Sequence, residues 1–336
     1  MDGSEPCERK IDERRGSHGL IQSPQLEVKL HTKVKHKILT YYFSSGWKNV
    51  FKSGRVFSLT YVDLFSGDGI CNCTEIDENM EKYFPEDSKL RTWNPSFFDL
   101  MKYAKEADFN LKCYFNDVEE EKTKLLTNEI NIHGYSKFVK EIYCKDANEI
   151  YKTILNEIEN PKKPTLFYID PTNHAQLSFS TIEGIAKFKD LEKGRQPELI
   201  INFMLNSIYM AMKRGLTSDD VSKINRFLGT NYSRKKMLNI FKDESEKTYV
   251  KLLKIYLKKL KDLGYFCNYL LIKSTSSKSP IYYLIFATSD KKIFQWYEGV
   301  NSYAESLEEE WIKKNFIVKT MTNAKKKGQK FLEDFM

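Results

Sequence analysis

Short apolar runs recur along this chain, with helical stretches between them. Phe57–Phe65 (FSLTYVDLF) is apolar nearly throughout and stops at Ser66-Gly67-Asp68-Gly69. Leu111–Asn116, Lys137–Tyr143, Thr165–Ile169 and Leu199–Phe203 follow, each ending at polar residues or a turn signal. A strand with one wet face alternates apolar and polar residues. Most of these runs do not, so they predict a parallel sheet covered by helices on both faces. Toward the end, a helix over Glu246–Leu263 stops at Gly264, a natural C-cap. Two further apolar runs, Tyr265–Lys273 and Ile281–Thr288, flank the polar turn Ser274–Pro280 and predict an antiparallel hairpin. The expected fold is α/β, a mainly parallel seven-stranded sheet ending in that hairpin, with helical insertions.

Before the first strand, Val34, Ile38, Tyr41 and Tyr42 recur at helical spacing with Lys33, Lys35 and Lys37 between them. Leu26–Phe51 therefore reads as an amphipathic helix. Residues 1–25 carry charge, Gly, Ser and Pro without apolar periodicity and read as a disordered or loosely ordered leader. One domain is expected over 26–300, with a loop insertion at 72–93 and a basic helical insertion at 216–262. A helical extension over 301–336 completes the chain.

Composition narrows the picture only a little. Hydrophobic residues make up 41% of the 336, enough for a substantial core. No apolar run reaches the roughly 18–20 residues that span a bilayer, and the polar N-terminus resembles no signal peptide, so a cytoplasmic location without a membrane partner is expected. The six cysteines, at 7, 71, 73, 113, 144 and 267, form no repeated CxxC pair, and no metal is implied. Net charge is +8, permissive of nucleic acid without pointing to it. Arg226, Arg234, Lys235, Lys236 and Lys258 in the basic insertion are the candidate phosphate-contacting residues; ordinary solvated helix faces would look the same.

The chemistry-bearing residues fall at the carboxyl ends of the predicted strands, where open α/β sheets bind ligands. Asp63, Phe65, Gly67 and Gly69 form a strand-borne loop whose glycines permit a tight turn against a ligand. Asp117, at the tip of the second strand, is placed for the ribose hydroxyls of a nucleoside cofactor and would equally cap the next helix. Asp146, after the third, could reach an adenine amino group or serve as a cap. Asp170, after the fourth, faces the reactive end of such a pocket, and His174 follows as a candidate base.

YVDLFSGDG (61–69) with FYIDP (167–171) resembles the class I S-adenosylmethionine-dependent methyltransferases, which share a Rossmann-like fold. More closely, HTKVKHKILTYYFSSGW (31–47), ELIINF (198–203) and YYLIFATSD (282–290) resemble the three-Cys-motif partner protein (TcmP) family of prokaryotic and mobile-element proteins. The resemblance implies S-adenosylmethionine as cofactor, with Asp63, Gly67 and Gly69 as loop positions and Asp170 as the strand-four carboxylate. It also implies RNA or DNA, or a three-Cys-motif partner protein, as partner. The expected function is methyl transfer to nucleic acid or a protein bound to it; the alternative is a catalytically degenerate, basic nucleic-acid-binding subunit. A nicotinamide-dependent oxidoreductase fits less well, for want of a third glycine. Two departures stand out. Thr172 and Asn173 replace the second proline and aromatic of the amino-methylating Asp/Asn-Pro-Pro motif, and the 72–93 insertion could act as a lid or block the pocket.

Overall fold

The computed structural model describes residues 26–54, 56–75, 91–158, 163–188, 196–274 and 279–326. The expected leader and the centre of the 72–93 insertion lie outside these residues. The strands are β1 (Leu26–Val28), β2 (Ser58–Asp63), β3 (Cys71–Cys73), β4 (Thr92–Trp93), β5 (Asn110–Asn116), β6 (Val139–Tyr143), β7 (Thr165–Ile169), β8 (Glu198–Met204), β9 (Phe266–Lys273) and β10 (Pro280–Thr288). Seven of them form one sheet in the order β6-β5-β2-β7-β8-β10-β9. Only β10 runs against its neighbours, pairing antiparallel with both β8 and β9. Ranked by chain position the order is 3-2-1-4-5-7-6, so the connections reverse direction between β2 and β7. That reversal opens a crevice at the carboxyl edge.

Period-two alternation divides the sheet residues between two cores. Leu59, Tyr61, Tyr168, Ile200 and Leu284 pack on one face, while Val62, Phe167, Leu199, Ile201 and Ile285 pack on the other. The first face is covered by α1 (Leu30–Tyr42), which buries Ile38, Leu39 and Tyr42. The same parity carries Asp63, Asp170 and Asn202 toward α1 at the carboxyl ends of β2, β7 and β8.

The N-terminal segment departs from the expected single helix. Leu26–Val28 is a strand, paired parallel with β3, which pairs antiparallel with β4. Helix begins only at Leu30, passes through a π-helical turn at Phe43–Trp47 and resumes as α2 (Lys48–Ser53). Gly46 explains part of this: a Cβ there would lie 2.9 Å from Trp296, so the turn packs against the C-terminal helix through a missing side chain.

The basic insertion folds as α3 (Ser218–Leu228), α4 (Arg234–Lys242) and α5 (Thr248–Asp262), which pack Ile224, Phe227, Met237, Tyr256 and Leu260 into the second core. The last helix, α6 (Lys291–Lys326), runs without a break through residue 300, and Val300, Ala304 and Leu307 are buried. Tyr303 stacks on Tyr41 of α1 at 4.2 Å between ring centroids. No described helix is long and apolar enough to cross a membrane.

Candidate cofactor and reaction pocket

A cavity of about 790 Å³ lies at the carboxyl edge, over the β2–β7 reversal. Its lining includes Asp63, Phe65, Gly67, Asp117, Asp146 and Asp170, so residues from four strand ends meet in one space. Parallel strands in register put their tips side by side, which is why residues separated by a hundred positions converge.

The loop after β2 is held from both ends. Gly67 has φ +65 and Gly69 φ +83, conformations that L side chains rarely adopt. Asp117 Oδ2 accepts the Gly67 amide at 3.1 Å, and its Oδ1 accepts that of Glu119 at 3.0 Å. Asp117 thus ties the glycine loop to the start of the following helix, and each oxygen keeps a second lone pair. Gly69 does not line the cavity; a Cβ there would meet Leu126 and Glu129 of the neighbouring helix, Glu120–Ile132, at 3.1 and 3.2 Å. Asp146 caps its helix, accepting the Asn148 amide at 2.6 Å, and still lines the cavity.

Asp63 is 1% exposed. Its Oδ1 accepts the Phe65 amide at 3.0 Å. Burial, reinforced by the negative charge of Asp170, outweighs that amide and the Lys35 ammonium and lifts its carboxyl to about 8.

The Asp170 end of the cavity contains a residue that the amphipathic reading set among the polar positions of its helix. Lys35, on α1, is 6% exposed and forms an ion pair with Asp170 Oδ2. Tyr168 donates to the same oxygen at 2.9 Å, and Asn202 Nδ2 donates to Oδ1 at 2.5 Å. Lys35 lies three and four residues before Ile38 and Leu39, on the buried stripe itself, so helical spacing could have flagged it. Asn202 escaped because it sits in the apolar run LIINF, where one polar residue among five looks like an interruption of the core.

His174 is not among the residues that line the cavity. Its ring is 6% exposed, with Nδ1 2.8 Å from Ser207 Oγ and Phe227 against its edge. Burial pulls it down to about 4, which suits a neutral core histidine rather than a base of the pocket. The basic residues do not line the cavity either. Arg234 donates to the carbonyls of Leu216 at 2.9 Å and Gly215 at 3.3 Å, and Arg226 to that of Ala175. Lys235 and Lys258 are exposed, as is Lys236, whose ammonium sits over the Tyr232 ring at 3.8 Å.

No residue at the described edges of the 72–93 insertion, 72–75 and 91–93, lines the cavity, but these edges flank residues that do. Trp93 Nε1 donates to His36 Nδ1 at 2.8 Å, fastening β4 to α1, and Glu27, Val28 and Cys71 from β1 and β3 line the cavity.

In the solved structures, protein LPL1258 of Legionella pneumophila, assigned to the family DUF519, is similar with a TM-score of 0.51. It is 12% identical, over 84% of this chain and 93% of that one. That likeness is one of fold alone, and the strand order with its inverted last strand says which fold it is. The chain has the class I methyltransferase fold. Weaker likenesses include the carbon methyltransferase DszA (TM-score 0.41, 13% identity, 77% of this chain and 54% of that one). Another is precorrin-6y C5,15-methyltransferase of Geobacter metallireducens (TM-score 0.33, 10% identity, 72% and 87%). No family model matches the chain, nor does any curated protein.

Proposed function

We propose that this protein is an S-adenosylmethionine-dependent methyltransferase whose cofactor occupies the cavity at the β2–β7 reversal. One observation carries the reading: Asp63, Gly67, Asp117, Asp146 and Asp170, chosen from strand ends, all line that single cavity. Asp117 would accept the ribose hydroxyls with the lone pairs its backbone contacts leave unused. Asp146 lies beside it for the adenine amino group, with the exposed Val118 as an apolar neighbour in the lining. Asp63, held protonated by burial, would ionise against the cofactor's amino group, and Lys35 supplies the positive charge its carboxylate needs. The bound cofactor supplies an activated methyl group. The chain's residues orient the acceptor and take up its proton, and proximity does most of the work.

The finer reading keeps the TcmP likeness and a nucleic-acid acceptor or a partner bound to one. Exposed Lys235 and Lys258, with Lys236 over the Tyr232 ring, support it as cations on the insertion; Arg226 and Arg234 support it less, being engaged with carbonyls. A second reading, a catalytically silent binding subunit, is favoured by the Lys35–Asp170 pair, which fills the reactive end with a cation. Calorimetric titration with S-adenosylhomocysteine, repeated on Asp117→Ala, tests the first reading. Saturable binding weakened at least about tenfold by the substitution is expected, the loss of one charge-assisted bidentate contact. No binding to the wild type discards the methyltransferase reading in favour of the silent subunit.

A further inference from the structure

Asn202 Oδ1 is a buried acceptor without a hydrogen-bond partner among the described residues, in a side chain that lines the reaction cavity and is 4% exposed. Buried polar atoms are nearly always paired, so an unpaired one in a side chain at the wall of a ligand cavity marks a place for a donor. The amide orientation is fixed. A flip would set Oδ1 against the Asp170 carboxylate at 2.5 Å, oxygen against oxygen, where Nδ2 now donates.

Asp170 completes the pattern. Its Oδ2 already accepts from Lys35 and Tyr168, while Oδ1, among the described residues, accepts from Asn202 alone. A carboxylate oxygen has room for two donors, so Oδ1 keeps one vacancy. The vacancy and the orphan amide oxygen sit on adjacent side chains bonded to each other. They form a pair of acceptors suited to the two hydrogens of a single –NH2 group. A hydroxyl brings one hydrogen and leaves one acceptor unpaired. An alkylammonium has no lone pair to methylate and would approach the Lys35 charge.

We infer that Asn202 and Asp170 together select a neutral, conjugated amino group as the methyl acceptor, the exocyclic amine of a nucleobase. This rests on the cofactor reading above and names the acceptor for the same cavity. It assigns to Asn202 and Asp170 Oδ1 the task that an Asp/Asn-Pro-Pro loop with its aromatic would perform, which Thr172 and Asn173 cannot. Both hydrogens being held in hydrogen bonds, the nitrogen lone pair is drawn out of conjugation and toward the donor. The transfer forms a nitrogen–carbon bond and breaks the sulfur–carbon bond of the sulfonium, whose electron pair returns to sulfur. The surplus proton of the methylated nitrogen passes to Asp170 Oδ1 and then to solvent through the cavity mouth.

The test is binding to protein saturated with S-adenosylhomocysteine, which also keeps nucleosides out of the cofactor's own adenosine site. Adenosine, cytidine, inosine and uridine are titrated in turn and followed by saturation-transfer NMR. Adenosine over inosine and cytidine over uridine should each be favoured at least about tenfold, since a site built around an N–H rejects the analogue lacking it. Asn202→Leu should abolish that preference while keeping S-adenosylhomocysteine affinity within about twofold. Equal responses to all four, or none, overturn the inference. The wild-type panel decides the matter if Asn202→Leu fails to fold. Failure to bind S-adenosylhomocysteine at all instead overturns the cofactor reading beneath it. A tighter complex with oligoadenylate than with adenosine identifies a polymer as the source of the amine; parity identifies a free nucleoside.

Discussion

At neutral pH burial keeps the Asp63 carboxyl protonated, its value standing at about 8 against an ordinary 3.8. The folded state therefore binds more protons than the unfolded one between those values. This group's contribution to stability is complete below pH 3.8 and falls as pH rises toward 8, by about 1.4 kcal/mol per unit at most. Asp63→Asn should flatten that slope in urea unfolding measured from pH 4 to 8. If Asp63 ionises to meet the cofactor's amino group, binding at pH 7 should release up to one proton. Calorimetry in buffers of different ionisation enthalpy reads that number directly, and Asp63→Asn should remove it. Lys35 makes the complementary case. Lys35→Met leaves the partly buried Asp170 with Tyr168 and Asn202 as its donors among the described residues, and should destabilise the protein by about 3 kcal/mol, the low end for a broken buried pair because only the lysine is fully buried and the site borders a cavity. The two residues also show what a sequence discloses. Asp63 was legible because it stands at a strand tip before a glycine loop, a position defined by local pattern. Lys35 is defined by what lies across from it, a carboxylate 135 positions away, and Lys33 and Lys37, two positions to either side, read with it as a solvated face.

At the scale of elements, the strands of the large sheet could be read within a residue or two because continuous apolar runs and their polar stops are local signals. The small sheet of β1, β3 and β4 could not. Three- and two-residue strands carry no periodicity, and their pairing joins Leu26 to Cys71 and Cys71 to Trp93. Core packing of Cys71, Cys73 and Trp93 holds that sheet to the domain, and the Trp93–His36 hydrogen bond joins it to α1, with Lys33 over the Trp93 ring at 4.5 Å. Burial, with Lys35 and Lys33 nearby, holds His36 well below its ordinary value, so its Nδ1 accepts as a neutral ring. Trp93→Phe keeps the aromatic packing but orphans that nitrogen, and should cost about 1–3 kcal/mol in urea unfolding. The loss should centre on the cavity wall: amides of β3 and of the first turn of α1 should exchange with solvent faster, while those of β2 and β7 stay protected. Uniform acceleration across the sheet would mean that this bond serves the whole core and that the small sheet is no separate layer.

The whole molecule places its chemistry where its topology leaves a gap, and the same gap makes ligand binding measurable as stability. Cavity residues come from α1, the carboxyl ends of β2, β5, β6, β7 and β8, and the small sheet, so a cofactor seated there touches elements that separate on unfolding. Binding confined to the folded state adds RT ln(1 + [L]/Kd), about 2.7 kcal/mol when ligand stands at a hundred times Kd. Melting entropy grows with chain length. For 336 residues each kcal/mol therefore raises the midpoint by roughly 1–2 °C, and the expected rise with S-adenosylhomocysteine is roughly 3–6 °C. NAD offers a control in the same apparatus, because it also carries adenosine and could use Asp117 and Asp146. Its second nucleotide would have to lie where Lys35, Asp170 and Asn202 already bond to one another. A rise with S-adenosylhomocysteine and none with NAD separates a methyl-transfer pocket from a general adenosine site. An equal rise with both would show that only the adenosine end of the cavity selects its ligand, and would remove the reactive end from the argument for cofactor identity.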